Sequence, residues 1–360
     1  MNPYLSFVVG ARNDNYGGDF LGRLQVFVDG LLAMWERHDL DAELVIVEWN
    51  PPANRPRLKN AIRWPKSPML DRVSIVEVPN EVHRRFPNSN RIPIFEYIAK
   101  NVGIRRAKGE FILSTNPDIL FSNRLIRFLA VRNLEPNSFY RVNRYDVAES
   151  IPVTHSIDRQ LRFCSLRAFR VSRAQGTMSL DRSLRLRHYV SQIVPWFRPL
   201  KLIHELRNRQ AGVPSLAQNL VSTSKYPSVH TNASGDFMLM SAESWRSLRG
   251  FPELTTHSHI DSYLVYVAAI AGLQQLVLRD PIYHQEHDRS EQTARPLTIL
   301  EKIPAFLEML ETRRPHIANT ENWGLGDLEL ESFSLAAGDR LKDSVPAHPN
   351  LVAQQQKNAQ

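Results

Sequence analysis

The chain has a single cysteine, Cys164, in 360 residues. One thiol excludes an intrachain disulfide and any metal site built from several thiolates. Long apolar runs are missing too, and no stretch approaches the roughly 20 residues that cross a bilayer. The first residues, Met1 to Val9, lack the basic start and apolar stretch of a signal peptide. Together these absences set the expectation of a soluble, cytoplasmic protein. Familiar phosphate motifs are absent as well. No G-x-x-x-x-G-K-[ST] occurs, which excludes a P-loop. The first apolar run leads into Gly10-Ala11-Arg12-Asn13-Asp14 and not into G-x-G-x-x-G, so the dinucleotide fingerprint is excluded. Neither H-E-x-x-H nor G-x-S-x-G is found.

What is present is an ordinary globular composition, 42% hydrophobic and 23% charged, with a net charge of +8. The length accommodates one large domain with a sizeable core. A basic excess suits anionic partners such as nucleotide diphosphates, acidic lipids or nucleic acid, without choosing among them.

Along the first 145 residues, short apolar runs alternate with helical periodicity. Strands are predicted at 5–9, 44–47, 73–78 and 111–113, and helices at 20–35, 94–106 and 125–131. This alternation predicts a mainly parallel, doubly wound α/β sheet flanked by helices. In such sheets ligands bind beyond the carboxyl ends of the strands, where Arg12, Glu48 and Asp118 fall. Later come a strand at 237–240, helices at 242–249 and 261–271, and a strand at 275–278. Between the halves, Ile151 to Gln210 carries 12 Lys or Arg against 3 Asp or Glu, interleaved with apolar residues. That stretch predicts a basic, largely helical insertion over 151–220. It is either a set of solvated faces packed on the core or a contact for an anionic membrane or acidic acceptor. The expected organisation is one catalytic domain over 1–335, with a nucleotide-binding half at 1–145, an acceptor half at 230–290 and a polar tail at 340–360.

The densest motif is Asn101-Val-Gly103 followed by Ala107-Lys-Gly109-Glu110-Phe-Ile, an apolar strand and Asn116-Pro117-Asp118. It resembles the centre of family 2 glycosyltransferases and related GT-A enzymes, in which a strand ends in an Asp-x-Asp metal motif. Here the first of those aspartates is Asn116. The resemblance covers roughly residues 5–145 and 230–290 and leaves the basic insertion out. It implies a Rossmann-like GT-A fold and transfer of a sugar from a nucleoside-diphosphate sugar to a hydroxyl acceptor. Gly10, Ala11 and Arg12 take the place of the family's first nucleotide loop, and Glu48 that of the residue contacting the base. Lys100 and Asn116 fall near the diphosphate. Asp118 falls at the metal, with His284 and His287 as late histidines able to complete its shell. Asp261 matches the catalytic base, and Asp236 lies on the acceptor-side strand.

Chemistry makes the same demands. A departing nucleoside diphosphate needs its charge neutralised, which Mn²⁺ or Mg²⁺ does through oxygen-rich sites. An attacking hydroxyl needs a carboxylate to take its proton; the resemblance puts Asp261 in that role and implies inversion. Each residue also has a purely structural use: Asp118 to cap a turn, Asp261 to favour a helix start, Glu48 as a solvated strand end, Asp236 to satisfy buried amides. Other classes remain: a catalytically degenerate GT-A-fold scaffold, motivated by Asn116, and a nucleotidyltransferase. Nucleic-acid binding is disfavoured because no recognised module is visible. The acceptor is expected to be a glycan or a lipid-linked hydroxyl; contact of the basic residues 151–210 with an anionic membrane, where a lipid-linked acceptor would lie, would place the enzyme at its inner face.

Overall fold

The computed structural model describes residues 2–148, 150–193, 229–255, 259–288 and 304–335. Strand β1 (Leu5–Ala11) is followed by α1 (Phe20–His38) and β2 (Ala42–Trp49). Next come the short α2 (Leu58–Ala61), β3 (Val73–Val78), the short α3 (Asn80–His83), α4 (Glu96–Arg106), β4 (Phe111–Thr115) and β5 (Ile119–Phe121). Helix α5 (Asn123–Ala130) and the long β6 (Ser138–Val147) lead to α6 (Ile157–Arg167), β7 (Ala168–Arg173), β8 (Gly176–Ser179) and α7 (Arg182–Ile193). The later half holds β9 (Phe237–Ser241), α8 (Ala242–Leu248), α9 (Ile260–Ile270), β10 (Gln274–Gln285), α10 (Pro304–Thr312) and β11 (Ser332–Ser334).

These strands form one sheet in the order β11-β3-β2-β1-β4-β9-β6-β10-β5, with β7 and β8 branching from β6. The block β3-β2-β1-β4 is parallel, β9 enters antiparallel, and β6 and β10 run parallel to each other. The expected α/β arrangement of a large sheet between helices is present. Its two faces are read directly from the period-2 pattern of the strands. Val8, Val45 and Val47 pack with α4, α8 and α9 on one side, whereas Phe7, Val9, Leu44 and Ile46 pack with α1 and α5 on the other. Both faces are covered, which is why β1 and β2 are continuously apolar.

The resemblance motif has a packing role. Helix α4 lies so close to β1 that a Cβ on Gly103 would stand 2.4 Å from Val8 Cγ1 and 3.1 Å from Val47 Cγ2. Asn101 is fully buried, donates through Nδ2 to Phe251 O at 2.8 Å, and accepts at Oδ1 from Phe251 N at 2.8 Å. One side chain therefore pins the loop after α8 to α4.

The basic insertion departs from the largely helical expectation. Its described part, 151–193, contains α6 and α7 but also the β7–β8 hairpin, which pairs with β6 from Arg144↔Ser172 to Val147↔Ala168. The alternation in Ala168–Arg173 is blurred by arginines on its half-buried positions, so it reads as helical in sequence. A third core, with Cys164, Ala168 and Val171 against Val26, Leu120 and Tyr283, fastens this part to the domain. Residues 194–220 and the tail at 340–360 lie outside the described residues. No helix among the described residues is long and apolar enough to cross a membrane.

Candidate active site

The parallel block fixes a common edge. The carboxyl ends of β1, β2, β4, β6 and β10 and the start of antiparallel β9 all meet there. Residues following these ends converge because the ladder holds them at one level. At β10, register places His284 opposite Asp146 on β6 and opposite Ile119 on β5. The backbone N–H of Gln285 donates to Asp118 O at 3.1 Å, which draws the turn after β4 against the end of β10.

Asp118, His284 and His287 consequently present three donor atoms within 4.8 Å of one another. His284 Nε2 lies 3.5 Å and His287 Nε2 3.4 Å from Asp118 Oδ2. Asp118 Oδ1 is buried and has no hydrogen-bond partner among the described residues. Burial pushes the Asp118 carboxyl up, but His284 and His287 more than reverse this and hold it well below the usual carboxylate range. Burial likewise opposes protonation of His284, and Asp118 reverses that, raising the imidazole. Two imidazoles and one carboxylate, one of its oxygens unsatisfied, form a donor set that fits a divalent cation. The set is richer in nitrogen than Mg²⁺ favours, so Mn²⁺ is the better match of the two expected ions.

His284 also touches a second carboxylate group, Asp146 and Glu286. That group already holds cations. Arg144 Nε is 2.8 Å from Asp146 Oδ1, Arg170 Nε 2.6 Å from Asp146 Oδ2, and Arg170 Nη2 2.7 Å from Glu286 Oε2. Asp146 is held well below the usual carboxylate range: burial opposes ionisation, but Arg144, His284 and Arg170 outweigh it. The site therefore has one cluster with an unsatisfied oxygen and one neutralised by guanidinium groups.

The loop after β1 covers the first cluster. Tyr16 meets His287 edge-on with ring centroids 4.9 Å apart. Gly17, at φ +64°, approaches so closely that a Cβ would lie 2.4 Å from His287 Nδ1. Only a residue without a side chain tolerates both the left-handed backbone and this contact. Arg23 on α1 gathers the loop by donating to the carbonyls of Tyr16 and Gly18.

Several of the expected site residues make internal contacts. Gly10 and Ala11 are buried and paired in the ladder with Val47 and Glu48, so they pack the strand end. Arg12 reaches the edge but spans loops, donating through Nε to Asn50 O at 2.8 Å and pairing with Asp14 at 2.6 Å. Glu48 is 1% exposed, and both its oxygens accept from Leu58 N, at 2.9 and 3.0 Å. It pins the loop beyond β2.

Lys100 is fully buried. Its ammonium donates to Glu96 at 2.7 Å, to Gly235 O at 2.9 Å and to Asn116 Oδ1, so it positions the strand-end loops. Asn116 accepts from Lys100 and donates to Asp236 Oδ1 at 2.7 Å. That double role needs an amide; a carboxylate there could not donate to Asp236 and would face it as a like charge. Asp236 is 4% exposed and also pairs with Arg144 at 2.6 Å, so it is a partner in this network.

Asp261 is different. It stands in the first turn of α9, and its Oδ2 accepts from Ser234 Oγ at 2.7 Å and from Gly235 N at 2.8 Å. No hydrogen bond to Oδ1 is found among the described residues, which leaves one carboxylate oxygen for other work. The 230–236 segment that holds Asp261 is itself anchored by buried Arg141, which donates to the carbonyls of His230, Asn232 and Ser234 at 3.3, 2.9 and 3.2 Å.

No family model matches the chain, and neither does the sequence of any curated protein. Among solved structures the chain is similar to S. aureus TarS 1-349, with 13% identity and a TM-score of 0.38, covering 79% of this chain and 60% of that one. It is similar also to TarS 1-349 in complex with UDP, at 12% identity and a TM-score of 0.37, covering 79% of this chain and 61% of that one. For TarS 1-349 in complex with UDP-GlcNAc the values are 13% and 0.40, covering 90% and 69%. The chain thus spans about three fifths of the length of the first of these. A likeness this distant does not reach to substrates or to individual residues.

Arg141, Arg144, Asp146, Arg170 and Glu286 were not among the residues expected at the site. Charged residues within a ten-residue strand obscured β6 itself. The available signal was the pair of short alternations around Arg141 and Asp146, with aromatic or β-branched residues between them.

Proposed function

We propose that the chain is a glycosyltransferase that moves a sugar from a nucleoside-diphosphate sugar to a hydroxyl acceptor, assisted by a divalent cation. The observation that carries this reading is the Asp118–His284–His287 cluster at the carboxyl edge of the sheet, with a buried Asp118 oxygen that has no partner among the described residues. The resemblance around Asn101 to Asp118 and at Asp261 supports it independently.

Asp118, His284 and His287 would hold a divalent cation, which when bound would supply positive charge against the departing nucleoside diphosphate. Asp261 takes the proton from the acceptor hydroxyl. Its Oδ2 is fixed by Ser234 and Gly235, so Oδ1 is the basic atom. As the acceptor oxygen bonds to the anomeric carbon, the bond from that carbon to the diphosphate oxygen breaks. The bonding pair leaves with the diphosphate, and the proton rests on Asp261. One displacement of this kind inverts the anomeric centre. Lys100, Asn116 and Asp236 hold the two halves of the edge in register through the bonds described above.

The deciding experiment is a thermal-shift panel of UDP, GDP, CDP and dTDP, each with Mn²⁺, Mg²⁺ or EDTA, on wild type and Asp118→Ala. One nucleoside diphosphate is expected to raise the midpoint with Mn²⁺, and the shift is expected to vanish with EDTA and in Asp118→Ala. Asp261→Asn is expected to keep that shift and to lose about 10²–10⁴-fold in turnover. Absence of any nucleotide shift in wild type would instead support a binding scaffold on the same fold.

A further inference from the structure

The ring of His284 is held from both sides. Its Nε2 faces Asp118, and its Nδ1 lies 3.1 Å from Asp146 Oδ1. Asp146 and His284 are opposite one another in the β6–β10 ladder, so the contact is set by strand register and not by a mobile loop. Asp146 is fully buried, and two arginines grip it: Arg144 on the oxygen that meets the histidine and Arg170 on the other. A carboxylate so placed has one use for an imidazole: to accept the Nδ1 proton and leave the Nε2 lone pair directed at a cation.

We infer that Asp146 is a positioning residue for the cation site: clamped by Arg144 and Arg170, it fixes the tautomer and orientation of His284 toward Asp118. This rests on the cation reading above and adds a residue that never touches the ion. The arginines serve a second end. They neutralise Asp146, so the Asp146–His284–Glu286 group does not compete for the cation.

The test uses the whole protein without nucleotide and Mn²⁺ alone as the probe, titrated by the electron paramagnetic resonance of the free ion. Asp118→Ala and His287→Ala are expected to weaken Mn²⁺ binding, which tests the site itself. Asp146→Asn, with all three ligands intact, is expected to weaken it by about 10–100-fold. In a His284→Ala background the same change is expected to have no further effect, because Asp146 acts through that ring. If Asp118→Ala weakens binding but Asp146→Asn does not, the positioning inference is overturned and the site stands. An Asp146→Asn loss that is equally large without His284 also overturns it, since a general structural role would give that additivity. If Asp118→Ala binds as tightly as wild type, both fail. Should Asp146→Asn not fold, Arg170→Gln serves in its place. Arg170 is part-exposed and grips only the outer oxygen, so a loss of a few fold is expected and unchanged affinity overturns the inference.

Discussion

At the scale of single residues, burial decides what an acidic side chain can do. Glu48, next to last in β2, and Asp118, just beyond β4, both sit at the carboxyl ends of central strands, yet one carboxyl is raised and the other lowered. Asp118 has two histidines beside it. Glu48 has a backbone N–H, and its burial is the largest influence, pushing it from its ordinary 4.5 up to about 7, with Glu77 adding to the rise and Leu58 N–H opposing it. Between these two values the folded protein holds more protons than the unfolded chain. Stability from this group is therefore fully present below about pH 4.5 and is lost as pH climbs to about 7, after which the penalty is constant. Glu48→Gln keeps an oxygen for Leu58 N–H and removes the charge. It is expected to match wild type in acid and to exceed it by about 1–3 kcal/mol above neutrality, measured by denaturant unfolding across that range. Nucleoside diphosphate affinity is expected to be unchanged, because Glu48 faces inward. A wild type that gains stability between about pH 5 and 7 relative to the variant would contradict the assignment.

At the scale of elements, the sequence was legible where burial is uniform. Strands β1 to β4, β9, and helices α1, α4, α8 and α9 lie within a few residues of expectation, since apolar runs and helical periodicity survive there. The resemblance singles out Asp118 and Asp261, at the ends of these elements, and His284 and His287, at the end of β10. Strand β6 could not be read. Arg141 and Asp146 are fully buried on it, and buried charges look in sequence like a solvated loop. Partners that justify such burial come from Ser234, His284 and Arg170, all distant in the chain. The contacts of Glu48 and Lys100 were hidden for the same reason: strand-end position is local, whereas the partner is not. Gly103 is the reverse case, a residue whose packing role is local to one helix–strand contact. Adding one methyl puts it 2.4 Å from Val8 Cγ1, on a strand held in two ladders. Gly103→Ala gains helix propensity of up to about 1 kcal/mol but overpacks the contact by about 1–3 kcal/mol. A net loss is expected, read as a lower unfolding midpoint in urea. An unchanged or higher midpoint would mean that α4 can slide off β1 at no cost.

At the scale of the molecule, charge is distributed unevenly. The sheet edge balances its ions in pairs, while α6 and α7 carry basic residues outward. Arg159, Arg162 and Leu166 recur at helical spacing on the exposed side of α6, and Arg182, Leu186 and Ile193 on that of α7. Leu166, Leu186 and Ile193 are 39%, 59% and 57% exposed. These helices do not hang free. The paired bonds from Arg37 to Asp158 tie α6 to α1 at 2.7 and 2.9 Å, and the hairpin between them extends the main sheet. An anionic surface that binds this face would therefore set the orientation of the whole carboxyl edge. Arginine with interspersed leucine and isoleucine suits a lipid headgroup layer, which takes both the charge and the apolar tips. The full chain is expected to sediment with vesicles containing phosphatidylserine and not with phosphatidylcholine alone. Each cation near the surface contributes about 1 kcal/mol, so replacing Arg159, Arg162, Arg182 and Arg187 by glutamine is expected to reduce partitioning by more than tenfold. Raising the salt is expected to do the same to wild type. Turnover on a soluble acceptor is expected to survive those four changes, because none of the four belongs to the cation cluster or to Asp261. Equal sedimentation with neutral and anionic vesicles would remove the membrane from this face and leave the arginines as a solvated surface.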